Sequence, residues 1–117
     1  MASYTDEHLR IDFERSSVLL DGTRVVLTRK EYELLVYLVR RAGDAIPRPI
    51  LLHAIWGYAS GVRTRTLDAH VCRVRSKLGL YSHDYLETIF GRGYRFRPWN
   101  DSVRTHGEPV QQLSMAV

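Results

Sequence analysis

Residues 64–78 read TRTLDAHVCRVRSKL, a segment in which an apolar stripe and a basic surface share one helical repeat. At 100° per residue, the apolar side chains fall within about 60° of one another; they are Leu67, Val71, Val74 and Leu78. The opposite face is small and polar; it carries Arg65, Ala69, Cys72 and Ser76, with Thr66 and Arg73 at its edge. Small side chains let another surface approach, and arginine suits phosphates and guanine edges. We therefore predict a recognition helix, with one face on a core and the other offered to nucleic acid.

The length and composition are those of one soluble globular domain. The chain has 117 residues, of which 44% are hydrophobic and 26% charged, enough for one modest core. The polar start, MASYTDEHLR, lacks a signal peptide's apolar core, and no stretch approaches the roughly 18 apolar residues of a membrane span. Cys72 is the only cysteine, which excludes an internal disulfide and a cysteine-rich zinc site. We expect a cytoplasmic protein without a membrane partner, a metal or a cofactor.

Positive charge is concentrated in one part of the chain. The net charge is +4, yet residues 63–97 hold eight basic and three acidic residues, against nine and ten in the remainder. A nucleic-acid footprint requires such an asymmetry. The alternative on charge alone is a solvated basic face without a ligand.

The region before residue 28 predicts antiparallel strands. Leu9, Ile11 and Phe13 alternate with charged residues, and Asp21-Gly22 separates two apolar runs at 17–20 and 24–27. Asp-Gly between such runs is a strong hairpin signal. We predict three short strands here, with a candidate fourth near Ala45 and Ile46.

Two further helices are predicted between this sheet and residue 64. Thr28 and Glu31 have the spacing of a capping box, so a helix begins at about Arg29; Gly43 stops it. Residues 47–49, Pro-Arg-Pro, open a shorter helix, because proline is tolerated in a first turn, and Gly57 ends it. A loop at 57–64 then leads to the recognition helix.

After Gly79 the sequence predicts a hairpin. Residues 85–90 and 94–96 are the strands, joined across Gly91-Arg92-Gly93, where two glycines suit a tight tip that projects a cation. We assign residues 1–8 to a linker or disordered N-terminus, 9–98 to the domain and 99–117 to an irregular tail.

Four motifs, in this order, resemble those of a known family. They are LTRKEYELL at 27–35, LLHAIW at 51–56, RTLDAHVCRVR at 65–75 and GRGYRF at 91–96. The chain resembles the effector domain of OmpR/PhoB-type response regulators, the DNA-binding half of two-component transcription factors. The resemblance implies an α+β fold, a winged helix-turn-helix with an N-terminal antiparallel sheet, three helices and a C-terminal β-hairpin wing. It implies sequence-specific binding of double-stranded DNA, with helix 64–78 in the major groove and hairpin 85–97 in the minor groove.

The resemblance also assigns roles to matching positions. Arg73 matches a base-reading arginine, and Arg92 at the hairpin tip is our candidate for a minor-groove contact. Matching positions that contact the phosphate backbone are Trp56, Arg65, Thr66, His70, Arg75, Thr88 and Tyr94. Core packing is the alternative role for Trp56 and Tyr94, since an amphipathic ring can serve both purposes.

By the same resemblance, the loop at 57–64 contacts an RNA polymerase subunit. The residues that we assign to this contact are Tyr58, Ser60, Val62 and Arg63. We expect a monomer in isolation and a tandem dimer on direct-repeat half-sites. Family members normally carry a receiver domain, and none is recognisable among these residues, so we expect either an excised effector domain or a stand-alone regulator.

Three positions depart from the family pattern. Cys72 stands where the family often has arginine or lysine, so one DNA contact is missing. Phe90 stands where many members place a wing arginine, whereas Arg92 follows two residues later. Pro47 replaces the serine that usually caps the second helix, a loss of about 1 kcal/mol.

Two other functions are alternatives to DNA binding. An enzyme is disfavoured, because Cys72 and His70 point about 160° apart on a helix and cannot form a catalytic pair. A winged helix that binds protein rather than DNA is the stronger alternative, since small residues at 69, 72 and 76 also suit a packed interface. The basic bias of residues 63–97 favours DNA.

Overall fold

The computed structural model describes residues 2–99, which begin with a four-stranded antiparallel sheet. Its strands are β1 (Ser3–Thr5), β2 (Leu9–Asp12), β3 (Ser17–Leu20) and β4 (Thr23–Arg24), in that spatial order. The predicted hairpin is confirmed: Leu20 pairs with Thr23 across Asp21 and Gly22, whose φ angles are 50° and 82°. Positive φ at both central residues is the two-residue turn that suits the twist of a hairpin. The strand predicted at 24–27 is shorter and begins one residue earlier, at Thr23–Arg24, and Val26 is exposed.

The N-terminus is part of the fold, so the prediction of a linker at 1–8 is wrong. Tyr4 pairs with Ile11, and its ring lies edge-on to Phe96 at 5.3 Å. Asp6 accepts hydrogen bonds from the backbone N–H groups of His8 and Leu9 and from the hydroxyl of Tyr85. A three-residue strand with one apolar side chain is too short to give an alternating sequence signal.

Three helices follow the sheet, close to the predicted bounds. They are α1 (Arg29–Arg40), α2 (Arg48–Trp56) and α3 (Thr66–Leu78). Thr28 and Glu31 form the predicted capping box, and Gly57 ends α2 in the left-handed conformation. Helix α1 ends at Arg40 with Arg41 as its C-cap, before the predicted stop at Gly43. Pro47 lies at the start of α2 without a side-chain cap. The predicted stripe of α3 is confirmed, since all four of its apolar side chains are buried.

The C-terminal hairpin belongs to a second sheet. Its strands are β6 (Leu86–Ile89) and β7 (Gly93–Phe96), preceded by a turn of 3-10 helix (Gly79–Tyr81) and by α4 (Ser82–Tyr85), which the sequence did not predict. The candidate fourth strand is β5 (Ile46–Pro47), and it pairs with β7 rather than with the N-terminal sheet. The connection between α1 and α2 therefore anchors the hairpin to the helices.

The core extends past the predicted C-terminal boundary at 98. Trp99 donates its backbone N–H to Asp6, and its ring lies edge-on to those of His8 and Tyr81. The prediction of an irregular tail at 99–117 is therefore wrong for Trp99. Residues 100–117 lie outside the described residues. Within residues 2–99, no helix has the length and apolar character that crossing a membrane requires.

Glu31 is a carboxylate at the centre of the domain, with 1% of its surface exposed. It joins α1 to α3, because its Oε1 accepts hydrogen bonds from the backbone N–H of Thr28 at 2.9 Å and from Lys77 Nζ at 2.7 Å. Burial raises the pKa of this carboxyl, but the bonds from Lys77 and Thr28 outweigh burial, so the pKa lies below its ordinary value. The ionised form is therefore the one that the fold stabilises.

Glu31→Gln is expected to destabilise the domain at neutral pH and to flatten its acid unfolding. A lowered pKa gives stability that is present above the unfolded-state pKa and is lost as pH falls through the folded-state value. At pH 7 we expect the variant's free energy of unfolding to be about 1–2 kcal/mol below that of the wild type. This difference should disappear as the pH falls from about 5 to about 3. Thermal unfolding measured across this range, with Glu14→Gln on an exposed turn as the control, tests this role. An unchanged pH dependence would contradict it.

Candidate nucleic-acid interface

The outward face of α3 presents a continuous, unobstructed surface. Cys72, Arg73 and Ser76 are exposed and Ala69 is half-buried. Within residues 2–99, Arg73 forms no ion pair or side-chain hydrogen bond. The centre of the face is flat because its side chains are small, and the Arg73 guanidinium is available at its rim. Such a surface fits a concave partner with hydrogen-bond acceptors.

The first turn of α3 is fixed to α2 and to the hairpin by one carboxylate. Arg48 donates a hydrogen bond to each oxygen of Asp68: Nη1 binds Oδ1, and Nη2 lies 2.9 Å from Oδ2. The Tyr94 hydroxyl donates to the same Asp68 at 2.5 Å. The Arg48 guanidinium holds the pKa of Asp68 below its usual range; burial opposes this shift, and the bond from Tyr94 adds to it. Tyr94 is 7% exposed, so its ring packs on the core, the alternative role, while its hydroxyl binds the first turn of α3.

Arg75 and Thr88, both predicted as phosphate contacts, are brought together. Arg75 donates from Nε at 3.1 Å and Nη2 at 2.8 Å to the backbone oxygen of Leu86, and from Nη2 to Thr88 Oγ1 at 2.8 Å. Its guanidinium also lies 5.8 Å from the centre of the Tyr94 ring. Arg75 therefore sets the position of the hairpin relative to α3, and only part of its hydrogen-bonding capacity remains for a ligand.

A second group of predicted contacts surrounds the start of α3. The rings of Trp56 and His70 meet edge to face at 4.8 Å, and His70 Nδ1 lies 2.7 Å from the backbone oxygen of Thr66. The N–H of Thr66 donates to Thr64 Oγ1 at 3.2 Å, and Arg65, exposed, occupies the capping position. These residues line the positive end of the α3 dipole, where an anion is favoured.

The hairpin ends in a short tip that carries an apolar and a cationic side chain. Residues 90–92 connect β6 to β7, and the N–H of Arg92 donates to Ile89 at 2.9 Å. Arg92 is exposed and, among the described residues, has no ion-pair partner. Phe90 is 93% exposed. The tip thus projects beyond the part of the hairpin that packs on α3.

The loop between α2 and α3 lies beside an open cavity of about 810 Å³. Val62 and Arg63, two of the four predicted polymerase contacts, line this cavity together with Arg48 and Arg65. Ser60 is exposed and Tyr58 is half-buried against the core. The structure therefore gathers three arginines on one side of the α3 N-terminus.

Several cations in the basic segment are neutralised within the domain. Arg95 and Arg97 both contact Glu87, at 2.6 Å and 3.6 Å, while Lys77 pairs with Glu31. Within residues 2–99, the arginines of this segment without an ion pair lie on α3, its preceding loop and the hairpin tip; they are Arg63, Arg65, Arg73, Arg75 and Arg92. Arg75 is hydrogen-bonded to neutral oxygen atoms of the hairpin. The cations without a charged partner therefore lie at α3 and the hairpin tip rather than along the whole segment.

Sequence reasoning missed the residues that hold this surface in place. Arg48 and Asp68 are 20 residues apart and Lys77 and Glu31 are 46 apart, so no local pattern reveals either pair. The one available signal was Asp68 itself, an acidic residue in a basic segment. Within residues 2–99, no cluster of three or more potential metal-ligating side chains occurs.

A three-helix core that exposes its third helix beside a two-stranded hairpin defines a winged helix-turn-helix domain. The sequence matches the family model "Transcriptional regulatory protein, C terminal" over residues 22–96, and the chain belongs to this family. It is the DNA-binding domain found at the C-terminus of OmpR/PhoB-type response regulators, which regulate transcription.

Relatives place the chain among such regulators. It is 38% identical to the transcriptional regulatory protein SrrA of Staphylococcus aureus over 108 residues, which are 90% of this chain and 43% of SrrA. Among solved structures, the DNA-binding domain of Klebsiella pneumoniae RstA in complex with the RstA box has a TM-score of 0.76 and 27% identity, covering 84% of this chain and 99% of that one. Thermotoga maritima DrrB, an OmpR/PhoB homologue, has a TM-score of 0.74 and 33% identity, covering 82% and 44%. The chain thus spans less than half the length of the curated relatives it matches.

Proposed function

We propose that this domain binds double-stranded DNA in a sequence-specific manner, with α3 in the major groove and the hairpin tip in the minor groove. The observation that carries this proposal is that exposed arginines without an ion pair lie at α3 and at the hairpin tip, with Arg73 on α3 and Arg92 at the tip. The solved RstA domain, a relative of the same fold, is in complex with its DNA box. Because the major groove presents a distinct pattern for each base pair, a helix with one unpaired arginine can read sequence there.

The side chains divide between base reading and phosphate contact. Arg73 has a guanidinium with no partner among the described residues, which leaves its two parallel N–H groups for guanine O6 and N7. Arg65 and Thr66 lie at the N-terminus of α3, where backbone N–H groups and the helix dipole favour a phosphate. We propose that His70, Trp56, Arg75, Thr88 and Tyr94 contribute more by holding these groups in place than by direct phosphate bonds.

The wider regulatory role follows from the family. We propose that the domain is the effector part of a response regulator and acts in the cytoplasm, where two copies bind direct-repeat half-sites in tandem. The loop at 57–64 is proposed to contact an RNA polymerase subunit. Its exposed residues Ser60, Val62 and Arg63 support this contact, since they lie on the loop that precedes α3 rather than on α3 or the hairpin.

Selection of bound duplexes from a random pool tests the proposed function. We expect one enriched motif, recovered as a direct repeat when the pool permits two copies, together with protection of both the major and the minor groove in footprinting. A pool that shows no enrichment over several rounds would overturn sequence-specific binding. If binding to a protein partner persists in that case, the domain is an interaction module.

A further inference from the structure

Phe90 is the most conspicuous unexplained side chain at the proposed interface. It is 93% exposed at the end of the hairpin, where an aromatic ring contributes nothing to the core. Leu80 is equally exposed, but it lies in the 3-10 turn that follows α3. Phe90 instead lies in the hairpin turn, two residues from the exposed Arg92, at a place that a partner of the hairpin tip would reach.

The hairpin register places Phe90 beyond the residues that contact α3. Leu86 pairs with Phe96, both in the core, and Thr88 pairs with Tyr94, both of which contact residues of α3. These pairs are two residues apart and therefore share one face of the ladder. Phe90 and Arg92 lie on either side of Gly91 in the turn, beyond Ile89 and Gly93, the last pair of the ladder.

The tip itself is built to hold this pair outward. Gly91 has a φ of +77°, the left-handed region, and the N–H of Arg92 closes the turn on Ile89. The chain therefore reverses within three residues, and both side chains are exposed on that turn. A surface that binds the hairpin tip therefore meets a positive charge and an apolar ring two residues apart.

We propose that Phe90 is a DNA-contacting residue that packs its ring against the deoxyribose and base edges of the minor groove beside Arg92. The minor groove offers such a surface, since its walls are apolar sugars and its floor has a negative potential. Apolar side chains inserted there favour sequences that widen or kink easily, which gives specificity without base hydrogen bonds. This inference rests on the proposed function, because it requires the hairpin to lie in the groove.

Phe90→Ala and Arg92→Ala separate the two contributions of the tip. The probe is a labelled duplex selected from a random pool with the wild-type domain. Phe90→Ala is expected to weaken binding about tenfold, through lost apolar burial, while the slope of log affinity against log salt stays unchanged. Arg92→Ala is expected to weaken binding and to make that slope shallower by up to about 0.9, because it removes one cation from the groove. Phe90→Trp should retain the affinity.

Leu80→Ala is the matched control, because it removes an equally exposed apolar side chain away from the tip. It should leave binding within twofold of wild type, and all variants should melt at the wild-type temperature. If Phe90→Ala binds as tightly as Leu80→Ala, Phe90 does not contact DNA and the inference is overturned. If the wild-type domain itself selects no duplex, the proposed function fails instead, which keeps the two failures distinct.

Discussion

Gly93→Ala is expected to detach the hairpin from the helices and to destabilise the domain by about 3 kcal/mol or more. A Cβ at this position would lie 2.0 Å from the backbone oxygen of Ile46 and 2.9 Å from its carbonyl carbon. Both atoms belong to the main chain of β5, so no side-chain rotation relieves the overlap, and β5 must separate from β7. Chemical denaturation followed by circular dichroism measures the loss.

The neighbouring glycine supplies the control. Gly91 also has a special conformation, with a φ of +77°, but an added Cβ there meets no atom within 4 Å. Gly91→Asn is therefore expected to cost less than about 1 kcal/mol, because asparagine tolerates the left-handed region. Equal losses for the two variants would show that the close approach of β5 and β7 is not what requires glycine at 93.

Arg73→Ala is expected to abolish discrimination at one or two base pairs of the recognised site. A bidentate contact between arginine and guanine is worth about 1–3 kcal/mol of discrimination, which corresponds to a factor of about 5 to 150 in relative affinity. Because Arg73 forms no ion pair or side-chain hydrogen bond among the described residues, its removal should leave the melting temperature unchanged. Affinities for the selected duplex and for single-base variants of it measure the effect.

The matched control for Arg73 is Arg65, an exposed arginine at the start of the same helix. Arg65→Ala should weaken binding to all these duplexes by a similar factor, since a phosphate contact carries no sequence information. If Arg65→Ala flattens the preference and Arg73→Ala weakens all sequences alike, the two roles are the reverse of those proposed.

Much of the fold was predictable because the deciding patterns are local. The apolar stripe of α3, the capping box at Thr28 and Glu31 and the Asp21-Gly22 turn each follow from residues within one or two turns of each other. Helical periodicity and turn chemistry act over that range, and each of these patterns forms as predicted.

The features that sequence reasoning missed depend on distant residues. The pairing of β5 with β7, the bonds from Arg48 to Asp68 and the anchoring of Asp6 by Tyr85 join segments that only the tertiary fold brings together. Gly91 and Gly93 were predicted to share one role at the turn. Gly93 instead lies in β7, where the backbone of Ile46 in β5 is too close to admit a Cβ. The candidate site shows the same division: the exposed Arg73 was predictable from helix geometry, whereas the internal bonds of Arg75 were not.

The salt dependence of duplex binding is the most direct test of a DNA-binding surface on α3 and the hairpin. Each neutralised phosphate contributes about −0.9 to the slope of log affinity against log salt. Because several phosphates are contacted, the slope for the selected duplex should lie between about −3 and −6. Arg65→Ala should make the slope shallower by about 0.9, and Arg15→Ala, whose exposed side chain lies in the N-terminal sheet region, should leave it unchanged. A wild-type slope shallower than about −1, or the same change for both variants, would contradict a phosphate-binding surface at this position.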